Sequence, residues 1–205
     1  MRIITISREF GSGGRELGKR LADILNCDYY DKEIITAIAS SKGLDAGYVA
    51  RALDKHGWQS YPLTYRGSLS AAMPCTRTEL LLEQKHVIEE IARAGKDCVI
   101  VGRNADILLR KEDPFNVFVC ADMEAKILRC MERAPAGENL SRKEMERRIR
   151  GMDRCRAQTR EMLTGSKWGD RTAYHLIMNT TDWSIKELAA PLADFAECWF
   201  RRTER

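Results

Sequence analysis

Three short, nearly unbroken apolar runs punctuate the chain, at residues 3–6, 98–101 and 116–120. They are rich in Ile, Val and Phe and show no sustained polar alternation, the pattern of strands buried on both faces. A fourth run, 176–178, is shorter and closes on Asn179, Thr180 and Thr181. Between these runs the apolar period lengthens to that of a helix. Leu17, Leu21 and Leu25 recur every four residues behind a glycine cluster, predicting a helix over 15–25. Ile34, Ile35 and Ile38 share one side of segment 31–40, and Leu80, Val87, Ile88 and Ile91 do so within 79–94. Gly95 follows as a stop signal, since glycine accepts the left-handed conformation that ends helices. A last helical pattern covers 185–200. Buried strands alternating with helices predict an α/β fold with a doubly wound parallel sheet.

Two segments depart from this rhythm. Residues 44–78 carry Gly47, Gly57, Gly67, Pro62 and Pro74 with several aromatics and weak periodicity, the mark of an insertion or flap that covers a site. Residues 139–163 begin a helix at Ser141, with Glu144 three places on to complete a capping box. Between Arg142 and Arg160 lie eight basic and three acidic residues, a local charge of +5 against +4 for the whole chain. Asp153, Arg156 and Arg160 stand at i, i+3 and i+7, so a helix sets them on one side.

The glycine cluster is the first place where chemistry enters. Strand, Gly11-Ser12-Gly13-Gly14 and helix follow in the order of a phosphate-binding loop, G-x-x-x-x-G-K-[ST]. Anchored on Ile6 as the last strand residue, Gly13 takes the second glycine position, Gly14 the lysine position and Arg15 the Ser/Thr position, while Arg8 falls on the first glycine. Small residues still let backbone N–H groups approach an anion at a helix start. The ammonium is missing, and Arg15, whose guanidinium forks across phosphate oxygens, is its replacement. Ser12 or Ser7 would supply a hydroxyl. A dinucleotide loop fits Gly11 and Gly13, with Asp31 twenty residues after Gly11 as ribose acid, but Glu16 occupies the third glycine position. A glycine turn that binds nothing is the third reading, and the loop alone leaves all three open.

Composition narrows the class. A chain of 205 residues with 44% hydrophobic and 31% charged residues is read as one soluble globular domain. A net charge of +4 and a pI near 8.7 lean toward anionic partners without the profile of a general nucleic-acid binder. No aromatic–basic alternation accompanies the 142–160 arginines, which argues against an RNA-binding module. Seven scattered cysteines with no C-x-x-C, and three histidines far apart, exclude a zinc motif. No secretory signal layout opens the sequence, and no apolar run reaches the ~18–20 residues of a membrane span. The expectation is a reduced, cytoplasmic protein without membrane partners.

Six stretches together resemble the cytidylate kinase-like proteins, a divergent branch of the nucleoside monophosphate kinases in the P-loop NTPase superfamily. They are "ITISREFGSGGRELGKRLA" at 4–22, "YYDKEII" at 29–35, "VIVGRNADILL" at 99–109, "MDRCRA" at 152–157, "KWGD" at 167–170 and "YHLIMNTTDWS" at 174–184. The resemblance implies a three-layer P-loop sandwich in a single domain, 1–205, with a monophosphate-binding flap at 44–78 and an arginine-rich lid at 139–165. It implies transfer of the γ-phosphoryl of ATP, with Mg²⁺, to a small nucleotide, CMP or dCMP first. Gly11, Ser12, Gly13, Gly14 and Arg15 would hold the donor phosphates. Arg15, Arg154 and Arg156 would act on the transferring group, the last two from the lid motif D-R-x-R. Asp31, Lys32, Arg103 and Asp153 would face the substrate, although Asp31 also suits the N-cap of the following helix. Lys32 replaces a serine that helps cytidylate kinases recognise cytosine. Three rivals follow: a catalytically weak nucleotide sensor on the same fold, a kinase for another small phosphorylated acceptor, and a dinucleotide-dependent oxidoreductase. Metal ligands and oligomeric state are not written in the sequence.

Overall fold

The computed structural model describes residues 1–54, 76–135 and 139–202. Five strands, β1 (Ile3–Arg8), β2 (Asp28–Tyr30), β3 (Cys98–Val101), β4 (Phe115–Cys120) and β5 (Leu176–Asn179), form one sheet in the order β2-β3-β1-β4-β5. Every pairing is parallel. The helices are α1 (Gly14–Leu25), α2 (Lys32–Lys42), α3 (Ala46–Asp54), α4 (Arg77–Arg93), α5 (Ala105–Leu108), α6 (Met123–Glu132), α7 (Arg142–Thr164) and α8 (Ile185–Arg202). The α/β architecture expected from the strand and helix periods is therefore present.

Successive strand side chains point to opposite faces, and both faces are covered. Ile4, Ile6, Val99, Val101, Val117 and Val119 meet Leu17 and Leu21 of α1 and Ala189, Leu192 and Ala196 of α8. Ile3, Cys98 and Ile100 face Ile34 and Ile38 of α2, Val49 and Leu53 of α3, and Leu80 and Ile88 of α4. Burial on both sides explains why the strands read as apolar runs rather than alternating ones. Leu17 and Leu21 are 0% exposed, each contributing about 1.5–3 kcal/mol. A third cluster, Ile127, Met145 and Ile149, joins α6 to α7 and takes Phe10 from the glycine loop against it.

Two boundaries differ from expectation. β1 does not stop at Ile6. Ser7 and Arg8 pair with Phe118 and Val119, so the ladder with β4 carries the strand two residues past its apolar run. The 44–78 insertion opens with a helix, α3, whose Val49 and Leu53 are four apart and buried against α2 and α4. Residues 55–75 lie outside the described residues, and the insertion's last three residues, from Thr76, cap and begin α4. The capping box at Ser141 is formed in both directions, and α7 runs 23 residues to the C-cap Gly165. Among the described residues no helix is long and apolar enough to cross a membrane.

Candidate functional site

The carboxyl ends of β1 and β3 and the start of α1 meet at one place, the usual ligand position of an open parallel sheet. The glycine loop is tied down on every side. Glu9 N–H donates to the Val119 carbonyl at 2.9 Å, Phe10 N–H to Asp153 Oδ1 at 2.6 Å, and Thr180 Oγ1 to the Ser12 carbonyl at 2.7 Å. Gly13 has φ 82°, a left-handed conformation that residues with a side chain rarely adopt, and a Cβ there would also crowd Ile185 Cδ1 at 2.3 Å, so the turn calls for glycine. Ser12 is placed apart from the neighbouring glycines. It is 0% exposed, its hydroxyl donates to the Glu9 carbonyl at 2.9 Å, and it does not line the cleft.

Above the loop opens a cleft of about 850 Å³, floored by Gly11, Gly13 and Gly14. Its walls carry nine basic residues, among them Arg15, Lys32, Arg129, Arg148 and Arg156, and five acidic ones. Arg15 is half-exposed and its Nε contacts Asp31 Oδ2 at 2.6 Å. Asp31 does occupy the N-cap position of α2, but its carboxylate makes no cap bond; it turns instead to Arg15 and to Arg8, 3.8 Å away. Its own N–H donates to Glu33 Oε2 at 2.9 Å. Glu16 in the first turn of α1 accepts from Arg20 at 2.8 Å and from Arg133 at 2.5 Å. Burial works to raise its pKa, and the two guanidinium bonds outweigh that and hold it below the ordinary carboxylate value.

A smaller cavity of about 50 Å³ lies on the other side of β1, between β3, α4 and α7. Ser7, Arg8, Gln84, Arg103, Asn104, Arg156 and Trp168 line it. Arg103 and Asn104 both take left-handed backbone conformations, φ 59° and 55°, at the end of β3, and Gln84 Nε2 donates to the Arg103 carbonyl at 3.0 Å. Arg8 and Arg156 line both cavities.

Four residues that the sequence reading did not place in the site hold this arrangement: Arg8, Glu9, Lys126 and Arg148. Lys126 is 5% exposed; its Nζ lies 2.9 Å from Glu9 Oε2 and 3.4 Å from Asp153 Oδ2. Asp153 is thereby a positioning residue, and it lines neither cavity. It fixes Phe10 through the loop N–H and Arg156 through Nη1 at 3.4 Å, and burial pushes its carboxyl above the usual range. Arg156 also donates to the Arg8 carbonyl at 2.9 Å and lies 5.7 Å from the Phe10 ring, with Arg148 at 5.9 Å. No sequence motif marked Lys126; only the docking of α6 on the loop brings it in.

The basic helix splits by direction. Arg156 faces the site. Arg154, two residues earlier, is exposed and lines neither cavity, because 200° of helical rotation separates the two. Arg160, placed by spacing on the side of Arg156, is 0% exposed and paired with Asp106, itself 2% exposed; it is a core ion pair. Of the other expected residues, Gly11, Gly13, Gly14, Arg15, Asp31 and Lys32 meet in the larger cleft, and Arg103 stands across β1 in the smaller cavity. Among the described residues no His, Cys, Asp and Glu group of three or more has a metal-holding arrangement.

Solved structures share this fold. An uncharacterized protein from Eubacterium ventriosum aligns over 96% of this chain and 99% of its own, with a TM-score of 0.70 and 23% identity. The shikimate kinase of Bacteroides thetaiotaomicron aligns over 96% and 98%, TM-score 0.58, 15% identity. That of Acinetobacter baumannii, solved with shikimate, aligns over 95% and 92%, TM-score 0.54, 13% identity. None of the curated proteins matches the sequence. The cytidylate kinase-like family matches residues 3–182, a span that includes the glycine loop, Asp31, Arg103 and α7, and the chain belongs to that family.

Proposed function

We propose that this protein transfers the γ-phosphoryl group of ATP, carried with Mg²⁺, to the phosphate of a small acceptor, with CMP or dCMP the first candidates. One observation carries the reading: two cation-lined cavities adjoin at the strand ends, one on the glycine loop and one beyond it, and Arg156 lines both. The donor phosphates would lie on Gly11, Gly13 and Gly14, where loop amides and the positive end of α1 favour an anion. Arg15 would release Asp31 to reach them. The acceptor phosphate would enter the smaller cavity against Arg103.

An acceptor phosphate oxygen is already anionic near neutral pH, so the reaction needs positioning and charge neutralisation rather than a base. Arg156 supplies that charge, held by Asp153 and the Phe10 ring. Mg²⁺ on a nucleotide takes one or two carboxylates beside phosphate oxygens. Asp31, in the cleft wall, would hold the ion once Arg15 moves to the phosphates, and the ion would supply neutralisation of the donor's negative charge.

A second reading keeps the donor and changes the acceptor to another small phosphorylated molecule. Lys32 supports it, because it puts a cation in the cleft wall where cytosine recognition calls for a serine. Coupled ADP release across mononucleotides and small phosphorylated metabolites decides between them. Turnover greatest with CMP or dCMP is the expected result; ADP release that no acceptor stimulates overturns the transfer reading.

A further inference from the structure

Arg8 has no place in the loop consensus, where a glycine would stand, yet with Arg156 it lies between the two cavities. Pairing with Val119 fixes its backbone in β1, so its position does not depend on a loop. The side chain is only 11% exposed. Its guanidinium lies across Gly102, where a Cβ would fall 1.6 Å from Nη1; glycine at the end of β3 leaves the room that Arg8 fills. It lines both the cleft on the glycine loop and the smaller cavity.

Its carboxylate partner, Asp31, is 3.8 Å away and shared with Arg15. Burial lowers the pKa of Arg8, and the cations of Arg156, Arg103 and Arg15 lower it further, while Asp31 works to raise it. Arg15 engages Asp31 at 2.6 Å. The carboxylate that faces Arg8 is thus held more closely by a second guanidinium. Arg160 shows what a purely structural buried arginine looks like in this chain: Asp106 is in direct contact with it. A buried cation whose counter-charge is distant and shared is costly, and an anion entering at the junction of the cavities would offset that cost.

Resting on the phosphoryl-transfer reading above, we infer that Arg8 does from the strand what the absent loop lysine would do from the helix: it contacts the terminal phosphate of the donor where the two cavities meet. In the transfer, the bond between the γ-phosphorus and the β–γ bridging oxygen breaks with its electron pair left on ADP, and an acceptor phosphate oxygen forms the new bond to that phosphorus. Arg8 gives up no proton; its fork holds the oxygens of the group as it passes. Arg15, at the cleft wall, reaches the phosphates nearer the nucleoside.

Calorimetric titration with ADP and with the non-hydrolysable analogue AMP-PNP, both with Mg²⁺, separates these roles. For Arg8→Gln the expected result is ADP affinity within about twofold of wild type and AMP-PNP affinity lower by about tenfold or more, the loss of one charge-assisted contact. Arg15→Gln should weaken both nucleotides. Arg8→Lys, which keeps the charge and loses the fork, guards against a misfolded glutamine variant; it should lie between Arg8→Gln and wild type for AMP-PNP alone, with a melting temperature near wild type. Equal losses for both nucleotides, or none, overturn the assignment. A wild type that binds neither nucleotide overturns it together with the donor site. Selective loss of AMP-PNP in a protein that phosphorylates no acceptor would leave Arg8 in place and remove only the transfer reading.

Discussion

Removing Asp106 tests whether the site rests on a buried ion pair. Asp106 lies three residues after Arg103, and Arg160 lies one turn after Arg156, so their contact ties the end of β3 to α7. Both side chains are out of solvent, at 2% and 0% exposure. Arg160 also donates from Nε to Ser166 Oγ at 3.2 Å and sits 5.5 Å from the Tyr174 ring, neither of which carries a full negative charge. Asp106→Ala therefore leaves an uncompensated buried cation, a loss of about 3–5 kcal/mol. At about 2–4 °C per kcal/mol for a chain of this size, the melting temperature should fall by about 6–20 °C. Urea unfolding with an unchanged m-value gives the free energy, and calorimetry the temperature. The double variant Asp106→Leu with Arg160→Met should recover most of the stability, because no charge is left buried. Arg156→Ala, at a position 21% exposed, should reduce turnover far more than stability. A loss below about 1 kcal/mol for Asp106→Ala, or a double variant as unstable as the single one, refutes the argument.

Three further outcomes are expected. Arg15→Ala should weaken ATP binding by about 1.5–3 kcal/mol, the value of a hydrogen bond to a charged group; unchanged affinity by calorimetry would remove Arg15 from the donor site. Arg154→Ala should leave turnover and unfolding free energy within about 0.5 kcal/mol of wild type, as for other exposed positions, and a large rate loss would show that α7 moves to bring Arg154 inward. Glu16→Gln should cost about 0.5–1 kcal/mol at pH 7. Because the folded-state pKa of Glu16 is lowered, this contribution is present above the unfolded value near 4.5 and disappears as pH falls through the folded one. An unfolding free-energy difference between wild type and Glu16→Gln that persists undiminished at pH 3 would contradict it.

Much of the frame was legible without coordinates. The apolar runs of β1, β3 and β4, the four-residue leucine spacing of α1 and the Ser141–Glu144 box all report local rules, in which each residue answers to neighbours two to four positions away. Even there, β1 outran its pattern, because Ser7 and Arg8 are held by β4 and not by their own hydrophobicity. That two-residue extension turns Arg8 from a misfit in a loop consensus into a residue shared by the two cavities.

The sequence by itself determined the parallel α/β sheet, the glycine loop at the head of α1 and the concentration of positive charge on α7. Only the tertiary structure decided which of those charges face the site. Arg154, Arg156 and Arg160 are alike in sequence context, and they end exposed, in the cleft wall and in the core, according to what lies opposite each face of the helix. Asp153 meets Phe10 across 143 residues and Arg156 meets Arg8 across 148. The physical reason is one of range: periodicity is set by local geometry and burial, whereas the partner of a charge is set by how distant elements dock.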